Sequence, residues 1–174
     1  MEVAEVQARK SGGFWVRCLQ SVTGFYEEIV RGETLKRLAP GDRHEAICQR
    51  LHDAVGRSLV PTTRLLEPRT IIELVPGTLV RPDLVLVTAI SNKPWLIAEI
   101  VNAYDHGSDT VTKKMIYEES RLPRLWMIDP RYDNVEVYHG TPYGLSLKEM
   151  LAGREVLTEK LLPEFQMVAR ELFG

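Results

Sequence analysis

Apolar positions recur along this chain with two periods, and the switches between them mark out its elements. Two short runs, FYEEIV and ETLKRL, flank Arg31-Gly32 and predict a hairpin over residues 25–38. Pro40-Gly41-Asp42 breaks that pattern. Beyond it Ala46, Ile47, Arg50, Leu51, Ala54 and Val55 recur at i, i+3, i+4, which predicts a helix with one mostly apolar face. Asp42 is the expected cap, with Glu45 three residues on as its capping-box partner. Extended stretches follow at 62–66, 70–75 and 84–89; the last, LVLVTA, is almost continuously apolar and reads as a strand buried on both faces. WLIAEIV at 95–101 reads as another strand with a single charged residue inside it, Glu99.

After a loop at 105–108 that includes His106, residues 109–121 read as a helix. Leu122-Pro123 ends it, because proline disfavours helical geometry in the residue before it. Strands at 125–128 and 135–138, joined through Asp129-Pro130, and a short helix near 164–172 complete the pattern. The order implies an α/β (α+β) chain: a mixed central β-sheet flanked by helices. Residues 1–13, polar and ending in Ser11-Gly12-Gly13, read as a loose arm, and 14–174 as one domain.

Composition narrows the picture only at a few points. At 174 residues the chain can bury a core without disulfides, and its two cysteines, Cys18 and Cys48, form no paired framework. With no secretory-type apolar segment at the start and no run long enough to span a bilayer, a cytoplasmic location without membrane contact is expected. The net charge of −2 argues against a protein that coats nucleic acid non-specifically, since that requires many Lys/Arg–phosphate contacts. Local contact through a few basic residues and a metal stays open; Arg64, Arg69, Arg121, Arg124 and Arg131 are the available phosphate-binding rim.

The chemistry concentrates in three residues. Asp83 stands where one buried strand begins and Glu99 inside the next, and a carboxylate in such apolar company costs several kcal/mol unless paired or coordinated. Two acids at one level on neighbouring strands suit Mg²⁺ (or Mn²⁺), which binds through one or two carboxylates plus water and substrate oxygens. Lys113 follows on the next helix, where Asp109, Lys113 and Tyr117 share a face at i, i+4, i+8. Taken singly, each has a plainer reading: Asp83 as a turn acid, Glu99 as an edge-strand acid, Lys113 as a solvated lysine, Tyr117 as core. Lys114 reads as solvated.

The ordered set RPDLVLV, WLIAEIVN, DTVTKKMIY and LPRLWMIDPRYDNVEVYH resembles the Uma-type restriction endonucleases, a bacterial family placed in the PD-(D/E)XK nuclease superfamily. The likeness runs from about Phe25 to His139 and extends upstream to the Gly32-Glu33 turn, Pro40 and His44. It implies a restriction-endonuclease-like core in which Asp83 and Glu99 hold the metal and Lys113 serves as the helix lysine. Tyr117 and His44 match further family positions, and Glu33 is an additional acid that can reach the metal. The wider superfamily places lysine two residues after the second acid, where this chain has Val101; the Uma-type proteins share that departure.

Other motifs fail. His44-Glu45 begins like a zinc-protease helix, but position 48 is cysteine, so HExxH is broken, and His52 is not at ligand spacing. No Walker loop or G-x-S-x-G elbow is present. The function implied is a metal-dependent endonuclease hydrolysing DNA. The alternatives are a catalytically inactive nucleic-acid-binding or regulatory module on the same scaffold, or hydrolysis of another phosphodiester. One site per chain and two DNA strands to cut suggest a homodimer.

Overall fold

The computed structural model describes residues 24–102 and 106–174, with side chains from 110 onward in the second span. The arm expected at 1–13, Cys18 and the side chains of His106 and Asp109 therefore lie outside the described residues.

The predicted hairpin forms as β1 (Phe25–Val30) and β2 (Glu33–Leu38), with Arg31 and Gly32 both at positive φ in the turn. Helix α1 (Asp42–Arg57) follows, burying Ile47, Cys48, Leu51 and Val55 as the periodicity requires. Its cap differs from expectation. Gly41, in extended geometry, is the N-cap without a side-chain hydrogen bond, and Asp42 and Glu45 lie inside the first turn, where their charge complements the helix dipole.

Next come β3 (Thr63–Leu65), β4 (Ile72–Val75), β5 (Thr78–Val80), β6 (Leu84–Thr88), β7 (Pro94–Ile100), α2 (His106–Glu119) and β8 (Arg124–Asp129). The chain ends in β9 (Asn134–Thr141), β10 (Gly144–Ala152), β11 (Val156–Glu159), β12 (Leu162–Val168) and α3 (Ala169–Phe173). His106 thus opens α2 rather than sitting in the loop before it. The helix expected near 164–172 is mostly strand: β12 pairs antiparallel with β11, and only 169–173 coil.

The central sheet has the order β10-β9-β8-β7-β6-β3, with β7 and β8 parallel and the other pairs antiparallel. A parallel neighbour needs a crossover, and α2 supplies it. Alternation then sorts the side chains. Leu84, Leu86, Leu96, Ala98, Ile100, Trp126 and Ile128 face α1, β12 and α3 in one core, where Trp126 stacks on Phe165 at 5.4 Å. Val85, Val87, Ile97, Val101, Leu125 and Met127 face the opposite way, against Ile116 and Tyr117 of α2. A second sheet, β2-β1-β5-β4, lies on this side, and its Ile72 and Val80 join the same core. Mixed sheet and flanking helices are as the sequence implied.

Candidate active site

Register brings the two acids together. Leu84 of β6 pairs with Ala98 of β7, which brings Asp83, immediately before β6, and Glu99 to the same end of the two strands. Both are buried, at 4% exposure each.

Glu99 is held from α2. Lys113 Nζ donates to its Oε2 at 3.0 Å, and the Tyr117 hydroxyl donates to its Oε1 in a short hydrogen bond. Burial pushes the Glu99 carboxyl up; Lys113 opposes this, while the charges of Asp83 and Glu28 add to it, and the result is about 8. Burial alone would lower the Lys113 ammonium, but Glu99 and Glu28 hold it well above the usual lysine value, so it is a fixed cation and not a base. Burial, then Glu99, keeps Tyr117 a protonated donor.

Asp83 is held from α1. His44 Nε2 lies 2.7 Å from its Oδ1, and the Ile100 N–H donates to its Oδ2 at 2.8 Å. One turn and two turns along the same helix face, Cys48 and His52 reach the Asp83 main-chain carbonyl, His52 Nε2 at 2.7 Å. A carbonyl only accepts, so His52 carries its proton on Nε2. Arg69, in a left-handed backbone conformation, sets its guanidinium between Glu45 at 2.5 Å and Asp83 at 3.6 Å. Burial would raise the Asp83 carboxyl, but the His44 contact, the Ile100 N–H and the Lys113 charge together bring it below the usual aspartate range. The two acids thus diverge: Asp83 is stabilised as an anion, whereas Glu99 has more negative than positive company.

The structure thus places Asp83, Glu99, Lys113, Tyr117 and His44 in one cluster. Glu33 does not join it: it is exposed beside the hairpin turn, paired with Val30. The hairpin acid that reaches the cluster is Glu28, which the sequence reading passed over although Tyr26, Glu28 and Val30 share a strand face. His52 was likewise set aside for its spacing as a ligand, when its partner is a carbonyl. The arginine rim also divides. Arg69 touches Asp83 and Arg131 lines a cleft of about 320 Å³ with Gly41, His44, Val101, Asn102 and Pro130. Arg124 pairs with Leu96, three residues from Glu99, and Arg64 with Val87, four from Asp83, so both lie roughly 10 Å or more along the strands, and Arg121 follows the end of α2. Lys114 lies over the Tyr138 ring at 4.3 Å.

Among the described residues, no three His, Cys, Asp or Glu side chains converge into an all-protein metal cage. The pair Asp83 and Glu99 fits a cation that takes one or two carboxylates and fills its remaining positions with water and substrate oxygens, as Mg²⁺ does. Burial first, then the charges of Asp83 and Glu28, disfavours the Glu99 anion, and a bound cation would favour it.

A mixed sheet carrying two buried acids at its strand ends, with a helix lysine on the second, defines a restriction-endonuclease-like α+β protein. The model of the family described as "Putative restriction endonuclease", Uma-type, matches residues 23–170. The chain belongs to that family. Among solved structures it is similar to a "putative nuclease" from Anabaena variabilis, at 14% identity and a TM-score of 0.72, over 89% of this chain and 93% of that one. At that identity the likeness speaks for the fold. Among curated proteins nothing matches. Among the described residues no helix is long and apolar enough to cross a membrane.

Proposed function

We propose that this protein is a divalent-metal-dependent endonuclease hydrolysing DNA phosphodiester bonds, with Asp83 and Glu99 holding Mg²⁺ or Mn²⁺. The observation that carries the reading is the meeting of buried Asp83 and Glu99 at one end of β6 and β7, with the buried Lys113 ammonium 3.0 Å from the Glu99 carboxylate. Family membership supports the nuclease class. When bound, the metal supplies an acidified water and neutralises charge on the phosphodiester.

The chain's own residues do the rest. Lys113 holds a fixed positive charge at the acids, where it orients the water or the phosphate and stabilises negative charge developing on the phosphorus oxygens. Tyr117, a protonated donor, fixes the Glu99 rotamer, and His44 with the Ile100 N–H fixes that of Asp83. Arg131 at the cleft and Arg69 beside Asp83, both partly open to solvent, would meet backbone phosphates. We take residues 14–174 as one domain working in the cytoplasm, with two copies required for a double-strand cut.

A second reading, a non-catalytic binding module, draws on the engagement of both Glu99 oxygens by Lys113 and Tyr117. Calorimetric titration of Mn²⁺ into wild type and Glu99→Ala, with plasmid nicking in parallel, separates the two. Metal binding and nicking, both lost in the variant, support the endonuclease. Metal binding without nicking of any DNA form favours the module, and a folded wild type that binds no metal removes the mechanism.

A further inference from the structure

The four-stranded sheet carries a buried charge that the family-like residues leave unexplained. Glu28 of β1 is 1% exposed, and an ionised carboxylate that deep requires partners. It has three. Its Oε2 accepts from Arg37 Nε at 3.1 Å, its Oε1 accepts from the main-chain N–H of Arg81 at 2.9 Å, and the same Oε1 lies 3.4 Å from Lys113 Nζ. Arg37 is itself 5% exposed on the partner strand β2, where the register sets it opposite Tyr26. Arg81 is two residues before Asp83. The strand's other face carries Glu27, which is exposed.

We propose that Glu28 is a positioning residue of the nuclease site, fixing the Lys113 ammonium jointly with Glu99; this rests on the endonuclease reading given above. A lysine side chain has four rotatable bonds, and one carboxylate would leave its ammonium free to pivot about a single contact. Two carboxylates, 3.0 and 3.4 Å away and delivered by different sheets, define its position. Glu28 also keeps the lysine from being consumed by Glu99 alone, because a cation shared between two acids retains its place when one of them turns to another partner. The Arg81 N–H ties Glu28 to the segment that leads into Asp83, so hairpin, lysine and first acid move as one body. Arg37 holds the other carboxylate oxygen, Oε2, which leaves Oε1 to Lys113 and the Arg81 N–H. The β1–β2 hairpin is therefore a wall of the site, although none of its side chains is close enough to Asp83 to share a ligand sphere with it.

The test is a double-mutant cycle on the full chain, Glu28→Gln and Lys113→Met singly and together, with Glu27→Gln as the control on the same strand. Nicking rates are read at saturating Mg²⁺, and the lysine ammonium signals are read by heteronuclear NMR in the metal-free protein. We expect Glu28→Gln to slow nicking about 10- to 100-fold in the presence of Lys113 and by less than about 3-fold in the Lys113→Met background, since partners that orient site residues typically act at that scale. We also expect the protected Lys113 ammonium resonance to broaden or vanish in Glu28→Gln and to persist in Glu27→Gln. Equal slowing in both backgrounds, or an unchanged ammonium resonance in a folded Glu28→Gln chain, overturns the proposal. Should the Gln variant unfold, Glu28→Asp keeps the charge but withdraws it by one methylene, and the same two readouts decide. A wild type that does not nick DNA counts against the endonuclease reading, and the ammonium signal then judges the positioning role on its own.

Discussion

Replacing Glu99 by glutamine asks how much this fold sacrifices to keep an under-compensated acid in its core. The ordinary glutamate value is 4.5, and burial, opposed by Lys113 and reinforced by Asp83 and Glu28, takes Glu99 to about 8. In the unfolded chain the group loses its proton near 4.5; in the folded chain it keeps it to about 8. Across that window the folded state binds the extra proton, so stability falls as pH rises and the loss levels off above pH 8. At about 1.4 kcal/mol per unit, wild type loses about 3 kcal/mol between pH 5.5 and 8.5 that the neutral glutamine does not lose. The difference between the two proteins reads Glu99 together with Lys113 and Tyr117, whose own titration depends on its charge. Urea denaturation in EDTA at half-unit steps measures it. Glu99→Gln should gain on wild type steadily with pH across that window. A difference that is flat with pH, or one that runs the other way, refutes the electrostatic account. Mg²⁺ should act in the opposite sense, raising the stability of wild type alone, by about 2.7 kcal/mol at a hundred times its dissociation constant.

Two further expectations test the frame around the site. A Cβ at Gly140 would stand 2.6 Å from the Leu122 carbonyl oxygen and 3.3 Å from Pro123 Cα, both main chain, so Gly140→Ala should cost about 1–3 kcal/mol in a thermal melt; an unchanged midpoint would show that β9 can back away from the α2–β8 turn. Cys48 is 2% exposed and burial pushes its thiol up to about 12, so iodoacetamide at pH 8 should leave the Cys48 peptide unmodified until the chain unfolds; labelling at the rate of a free thiol contradicts that burial.

Much of this architecture is determined by local pattern. The face of α1 follows from Ile47, Leu51 and Val55 at helical spacing, β6 from an unbroken apolar run, and the prominence of Glu99 from the cost of a charge among Ile97, Ala98 and Ile100. Those signals are local because propensity and burial act on neighbouring residues. The C-terminal segment shows where local pattern divides. Phe165, Ala169 and Leu172 suit a helix while Phe165, Met167 and Ala169 suit a strand, and it is pairing with β11 that decides for β12. The site's partners are decided the same way. That Glu28 rather than Glu33 meets Lys113, and that His44 and His52 both serve Asp83, depends on how one sheet lies against α2 and how α1 lies against β6. A strand face or a helix face is written in a few successive residues. Which two faces meet depends on contacts between residues 31 to 85 positions apart, and only the folded chain brings those together.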